Sequence, residues 1–520
     1  MSPLAEATGP EVEGRPYSAQ IRWLAETYPD MQAVTVVAED GTPTRLDWRK
    51  LESRSNQVAR TFAEEGVGYG DRVGLELPNS VEMVESVLAC WKIGASPVPM
   101  RWDLPEWERA RVAGVLDARL LVGREQGGLF ERSRSRSDGP LPDVVSPAVN
   151  GICSSGSTGT PKIIMDHSPA VMTPSTTLPF PANWGVDVGR QVILVPTALY
   201  HTNGFAQFTY LLSGDTLVIM SKFDAALALD LIESERVTAF TVTPTMLARM
   251  ARVPGVERRD FSSVVWVQQG AAVFPPALAR FWIDLLGGER IYMAYGMTER
   301  LGLTAIRGDE WLDHPGSIGR GFRDTEVRIL DEHQREVPVG EVGEIYLRSS
   351  TTGRYGYLGD ARPLPMTEDG FATAGDLGRM DEEGYVYVAD RRVDMIVTGG
   401  ANVFPAEVEA ALSEHPEVVD VVVVGLPDEE WGRRVHAIVE PRRPDAPPAV
   451  EEIRSFAKER LAPYKVPKTV EFVEAIPRSA ATKVNRAQLV AERAGASPAD
   501  VPGAGADAAS APTGAAATGA

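Results

Sequence analysis

Two kinds of apolar periodicity alternate along this chain, and that alternation constrains its fold more than any other feature. Residues 72–77 are β-favouring, residues 81–93 repeat apolar side chains at helical spacing, and another β segment lies near Val98. Strand, helix and strand in succession cannot close as a hairpin; they need a crossover, which predicts a parallel sheet covered by helices. The alternation resumes further on, with strands expected at 192–195, 216–220, 239–242, 264–268 and 291–294. Helices are expected between them at 225–233, 245–253 and 276–286. Nearer the start, residues 33–47 read as a hairpin turning at Asp40-Gly41, and Asp47 is placed to cap a helix carrying Trp48, Leu51, Val58 and Phe62.

A single hydrophobic core stops growing near ~250–300 residues, so a chain of 520 residues divides into more than one domain. From 317 to 348 the pattern changes to short β segments punctuated by Gly and Pro, which predicts a small β-barrel-like module. At about 393 it restarts as α+β, with a helix at 406–413, strands at 418–424 and 435–439, and a helix at 450–461. The expected class is α/β: a large N-terminal domain over 1–392 and a small α+β C-terminal domain over 393–495. Residues 496–520 are largely Ala, Gly, Pro, Ser and Thr, and are expected to form a disordered tail.

The net charge of −20 argues against nucleic acid or an anionic membrane as the main partner, so an anionic substrate has to be drawn in by a local basic site. No run of ~18 apolar residues suits a spanning helix. The first residues carry Glu6, Glu11 and Glu13 and show no secretory leader, and two cysteines, Cys90 and Cys153, fit a reducing compartment. A cytoplasmic location is expected. The six histidines show no metal-ligand spacing.

One loop stands out chemically. From 151 to 162 the chain reads Gly-Ile-Cys-Ser-Ser-Gly-Ser-Thr-Gly-Thr-Pro-Lys. Gly156 and Gly159 allow close backbone approach, Ser154, Ser155, Ser157, Thr158 and Thr160 offer hydroxyls, and Lys162 adds a cation: the parts of a phosphate cradle. It is not a P-loop, because Pro161 precedes the lysine and Ile163 follows it. Downstream come Gly270-Ala271-Ala272, Tyr295-Gly296-Met297-Thr298-Glu299, Gly375-Asp376, Asp390-Arg391, and Pro477-Arg478-Ser479 leading to Lys483.

In this order, across roughly residues 20 to 490, these motifs resemble the adenylate-forming superfamily of acyl-CoA synthetases, adenylation domains and luciferases. The resemblance implies ATP-dependent activation of a carboxylic acid as an acyl-adenylate with release of pyrophosphate, followed by transfer to the thiol of CoA. ATP, Mg²⁺ and CoA are the implied cofactors and co-substrates. By resemblance, Ser154, Ser155, Gly156, Ser157, Thr158, Gly159 and Lys162 hold the β- and γ-phosphates. Thr298 contacts the α-phosphate and Glu299 ligates Mg²⁺. Tyr295, beside Gly296, stacks on adenine over the slot formed by Gly270, Ala271 and Ala272. Asp376 accepts from both ribose hydroxyls, and Arg391 reaches ribose or phosphate. Lys483 bridges the attacking carboxylate and the α-phosphate. His201 gates an acyl pocket lined by Asn203, Gly204, Gln269, Met297, Arg300 and Gly302. The loop 399–402 borders the pantetheine tunnel once the mobile C-terminal domain swivels.

Two departures from the family pattern are visible. The hinge position is Val393 where relatives carry Asp or Lys, and Ala374 stands where they carry a hydroxyl. A second reading keeps ATP cleavage but joins nitrite to an aromatic amine, as in ATP-dependent diazotases, with Arg300, His201, Thr202 and Asn203 suiting a small anion beside an arylamine. A nucleotide-binding protein without catalysis fits poorly, since Glu299, Asp376, Arg391 and Lys483 are all present. No carrier-protein domain is read after 490, so the expected acceptor is CoA or a separate carrier protein.

Overall fold

The computed structural model describes residues 14–104, 106–123, 127–154, 162–173, 178–272, 274–359, 362–391, 394–398, 401–428, 431–478 and 484–494. The tail after 494, Lys483, the hinge Val393 and the interior of the 151–162 loop lie outside the described residues.

The expected alternation builds a nine-stranded sheet. Its order is Arg320–Gly321, Leu303–Arg307, Ile291–Gly296, Trp266–Gln269, Ala239–Val242, Val192–Val195, Thr216–Met220, Gln32–Val37, Pro43–Asp47. The six inner strands, from Ile291–Gly296 to Gln32–Val37, run parallel, and the strands flanking them run antiparallel. Alternate residues feed opposite faces. Ile193 and Val195 join one core with Leu217 and Ile219, while Leu194 joins another with Val218 and Phe240. Caps set the helix starts: the Asp47 carboxylate accepts from Lys50 N at 2.8 Å to open Trp48–Glu64, and Thr243 Oγ1 accepts from Met246 N at 3.3 Å to open Pro244–Ala251.

A second parallel sheet contains Ser96–Pro99, Arg72–Glu76 and Leu120–Gly123. A third, antiparallel, contains Asn150–Ser154, Lys162–Asp166 and Tyr355–Leu358. The β-rich module extends well past 348. It is a four-stranded antiparallel sheet of Glu326–Leu330, Gly343–Arg348, Asp376–Met380 and Val386–Arg391, folded over Leu301, Ile345 and Leu347. Near the C-terminus, Val418–Asp428, Gly432–Pro441 and Thr469–Phe472 form a sheet against the helices Pro405–Ser413, Val450–Lys458 and Arg486–Ala494. The molecule is therefore α/β, with a large N-terminal and a small C-terminal domain. Among the described residues, no helix is long and apolar enough to cross a membrane.

Candidate active site

In a parallel sheet the loops leaving the C-terminal strand ends form the natural binding crevice. Here Val195, Val242, Gln269 and Gly296 end four neighbouring parallel strands, and the chain leaves three of them into segments singled out by sequence. After Val195 it reaches His201, whose ring lies 4.6 Å from that of Tyr200 and which precedes the helix Thr202–Phe205. Gly204 seats that helix: a Cβ there would fall 2.1 Å from Ala198 O, so only glycine allows the approach.

After Gln269 comes the slot. Gly270 N donates to Val242 O at 3.2 Å, and Ala271 takes a positive φ of 75°. Gln269 is buried, and its Nε2 donates to Ala272 O at 2.8 Å. Its side chain thus braces the slot from beneath.

After Gly296 the six residues 297–302 turn back into Leu303–Arg307, with Gly296 paired to Leu303. The turn is tight: Arg300 N donates to Met297 O at 3.0 Å and Arg300 has φ 52°. It is also clamped from outside. Thr351 Oγ1 donates to Arg300 O at 2.9 Å, and Thr352 Oγ1 donates to Leu301 O at 2.6 Å. The Arg300 guanidinium pairs with the buried carboxylate of Asp166. Gly302 abuts Thr325, whose Cγ2 would lie 2.6 Å from a Cβ there, and Met297 and Tyr295 pack on the core of the β-rich module.

This clamp presents Thr298 and Glu299. The hydroxyls of Thr298 and Thr202 share a hydrogen bond of 2.7 Å. Glu299 is only 8% exposed, and its Oε1 accepts from the Tyr357 hydroxyl at 2.7 Å and from Lys162 Nζ at 3.4 Å. The same ammonium stands 4.6 Å from the Tyr357 ring centroid, a cation–π distance. Burial, and then the bond to Glu299, push the Tyr357 phenol far above its ordinary pKa, so it stays a hydrogen-bond donor.

Lys162 opens its strand opposite Ser154, so the two strands meet at the glycine-rich loop. Ser155, Gly156, Ser157, Thr158 and Gly159 lie outside the described residues, as does the side chain of Ser154. On the facing side, the Tyr295 hydroxyl donates to Asp376 Oδ2 at 2.6 Å. Asp376 is buried and is the cross-strand partner of Arg391, whose side chain is not among those described. Beside Ala374, Thr373 Oγ1 accepts from Gly375 N at 3.0 Å.

Asp166 and Tyr357 were not singled out from sequence, since each is ordinary within its strand and gains its role only from a distant partner. Among the described residues no group of three His, Cys, Asp or Glu could hold a metal by itself. Glu299 fits Mg²⁺ in the other common way, as a single carboxylate sharing the ion with nucleotide phosphates, with Lys162 beside it.

Comparison with known proteins agrees with this geometry. The AMP-binding enzyme family matches residues 21–358, and the AMP-binding enzyme C-terminal domain matches residues 407–483. A 2-succinylbenzoate–CoA ligase of Bacillus licheniformis is 32% identical over 499 residues, covering 90% of this chain and 98% of the relative. A fatty acid–[acyl-carrier-protein] ligase of Streptomyces coeruleorubidus is 30% identical over 478 residues, covering 85% and 91%. Among solved structures, the o-succinylbenzoate CoA synthetase of Bacillus subtilis in complex with its acyl-adenylate intermediate superposes with a TM-score of 0.75 at 25% identity, over 90% of this chain and 97% of that one.

Proposed function

This chain belongs to the AMP-binding enzyme family, and from that premise we propose that it is an ATP-dependent acid–CoA ligase. It activates a carboxylic acid as an acyl-adenylate, releases pyrophosphate, and passes the acyl group to the thiol of CoA. The observation that carries the reading is the convergence, at the ends of the parallel strands, of Glu299 tied to Lys162 and Tyr357 with Tyr295 tied to Asp376. The 2-succinylbenzoate–CoA ligase among its relatives supports both steps, and the fatty acid–[acyl-carrier-protein] ligase supports activation of an acid.

The central difficulty of the first step is charge. An anionic carboxylate approaches the α-phosphate of an anionic nucleotide, and negative charge grows further in the transition state. Lys162 and the hydroxyls and amides of the 154–160 loop hold the outer phosphates. Thr298, fixed by Thr202, donates to the α-phosphate. Lys483 spans the attacking carboxylate and the α-phosphate. Asp376 binds the ribose hydroxyls, with its carboxylate oriented by Tyr295, whose ring packs along adenine above Gly270-Ala271-Ala272. Arg391, opposite Asp376, reaches ribose or phosphate. Glu299 holds Mg²⁺, which when bound neutralises phosphate charge. His201, Asn203 and Met297 face the acid, while Gly204 admits the Ala198 carbonyl and Gly302 admits the Thr325 side chain at close range.

The second step needs the small domain to turn. Among the described residues no apolar core spans position 393: the clusters on either side contain residues up to 388 or from 396 onward. That separation supports a boundary at 393, between domains 1–392 and 393–495, with the loop 399–402 brought to the site by rotation. CoA is the acceptor favoured by the first relative and a carrier protein by the second. With Arg300 paired to Asp166, no observation favours the nitrite-and-arylamine alternative.

The test is pyrophosphate release with ATP and Mg²⁺ across a panel of acids, with and without CoA. A CoA thioester by mass spectrometry is the expected product. Release that requires nitrite and an arylamine, with indifference to CoA, would overturn the reading.

A further inference from the structure

We propose that the acid accepted by this site is short and carries an O–H or N–H donor remote from its carboxylate, as a hydroxy- or amino-substituted aromatic acid does. The proposal rests on the acid-activating reading above.

Two consecutive short helices, Thr202–Phe205 and Phe208–Leu212, cover one face of the nine-stranded sheet, and two contacts set their level along it. At the site end, the Asn203 side-chain nitrogen lies 4.0 Å from where a Cβ on Gly270 would be. At the far end, the rings of Tyr210 and Trp266 are 5.6 Å apart. From Asn203 to Tyr210 the helical chain rises about 10 Å, and from Gly270 back to Trp266 the strand spans about 13 Å. The residues midway therefore share a level: Gln207 on the helical side and Gln268 on the strand. Thr241, Gln268 and Tyr292 are cross-strand partners, so they point to the same face in one row.

That level, Gln207 on the helical side and Thr241 on the sheet, is polar and incompletely satisfied. Gln207 is 3% exposed; its Nε2 donates to Asn203 O at 2.8 Å, while its Oε1 is buried and makes no hydrogen bond among the described residues. Thr241 is 4% exposed, and its Oγ1 is likewise buried without a partner there. Buried oxygens are almost always hydrogen-bonded, because desolvating one without a donor is costly. Two at one level beneath the slot are matched by a ligand that brings the donor.

The next level down is filled. Trp266, two residues further down its strand, is fully buried; Tyr210 lies 5.6 Å from it and Phe180 6.3 Å, and Phe180 in turn stacks on Phe322 at 4.6 Å. An acid that reaches the Gln207 level has nowhere further to extend, which excludes long alkyl chains.

The experiment measures pyrophosphate release by the full chain with ATP and Mg²⁺. The acids are the ring isomers of hydroxybenzoate and aminobenzoate, the size-matched methylbenzoates, benzoate and dodecanoate. At least one donor-bearing acid should exceed its methyl counterpart in kcat/KM by about 100-fold or more, because a site built around a hydrogen bond strongly rejects the analogue lacking it. Dodecanoate should be inert. Gln207→Leu should collapse the donor preference to below about tenfold. Thr241→Val, nearly isosteric and so a safeguard against misfolding, should reduce it in the same direction. Equal turnover of benzoate or methylbenzoates, or brisk release with dodecanoate, would overturn the pocket assignment and leave acid activation standing. Release with no acid at all would overturn acid activation itself, and the proposal with it.

Discussion

At the scale of single residues, the site works through side chains that hold other side chains. Tyr357 is the clearest case: its hydroxyl fixes Glu299 Oε1 while its ring carries the Lys162 ammonium. Tyr357→Phe removes the first contact and keeps the second. Hydrogen bonds to charged groups are worth about 1.5–3 kcal/mol, so the KM for Mg²⁺–ATP should rise roughly ten- to a hundredfold. The thermal melting curve should move little. Initial rates of pyrophosphate release against ATP concentration check this, and an unchanged KM would remove Tyr357 from the assembly. Lys483→Ala makes the complementary test. Adenylation should fall by orders of magnitude while calorimetric ATP binding persists, since a preorganised cation acts mainly on transition-state charge. Near-normal turnover would sink its assignment.

Secondary-structure elements decide where those residues stand. The helix Thr202–Phe205 touches the site through Thr202 and Asn203, and it rests on Gly204 packed against the Ala198 carbonyl. Gly204→Ala puts a methyl 2.1 Å from that oxygen, so the helix must lift. Acid turnover should drop at least tenfold and stability by about 1–3 kcal/mol, the usual cost of forcing extra volume into a packed region. Urea titration and kinetics on the same sample measure both. Strand entry has its own titratable device. Asp215, just ahead of Thr216–Met220, accepts from Gln191 N at 2.7 Å, and burial pushes its carboxyl up from 3.8 to about 7. A carboxyl raised in the folded state binds its proton more tightly there than in the unfolded chain. Its contribution is therefore most favourable below pH 3.8 and is lost as pH rises towards about 7. Asp215→Asn should flatten the stability profile between about pH 4 and 7 and leave the protein more stable than its parent at pH 8. Urea midpoints at pH 5 and pH 8 test the sign.

Across the whole molecule, the large and small domains have separate cores but touch, with Arg252 Nη2 donating to Val419 O at 2.7 Å. A fragment ending at residue 391 keeps the groups proposed for phosphate, ribose and adenine and loses Lys483. It should melt cooperatively and bind ATP, yet release no pyrophosphate with any acid. Substantial release from that fragment would show that the small domain is dispensable for the first step.

The sequence by itself determined a good deal. Its alternation of β and helical periods dictated the parallel sheet, since a strand–helix–strand succession has few other ways to bury its apolar faces. The order of its motifs specified the family and singled out most of the residues proposed to face the nucleotide. The β-rich module was recognised but cut short, because its later strands are separated from the earlier ones by a long irregular stretch. Only the tertiary structure decided which groups work as one. Arg300 meets Asp166 across 134 positions and Glu299 meets Tyr357 across 58. Gln207 levels with Gln268 only because a helix and a strand with different rises lie side by side. Local periodicity has no information on such pairs. They arise when loops at the strand ends are brought to one place, and it is there that burial makes each hydrogen bond count.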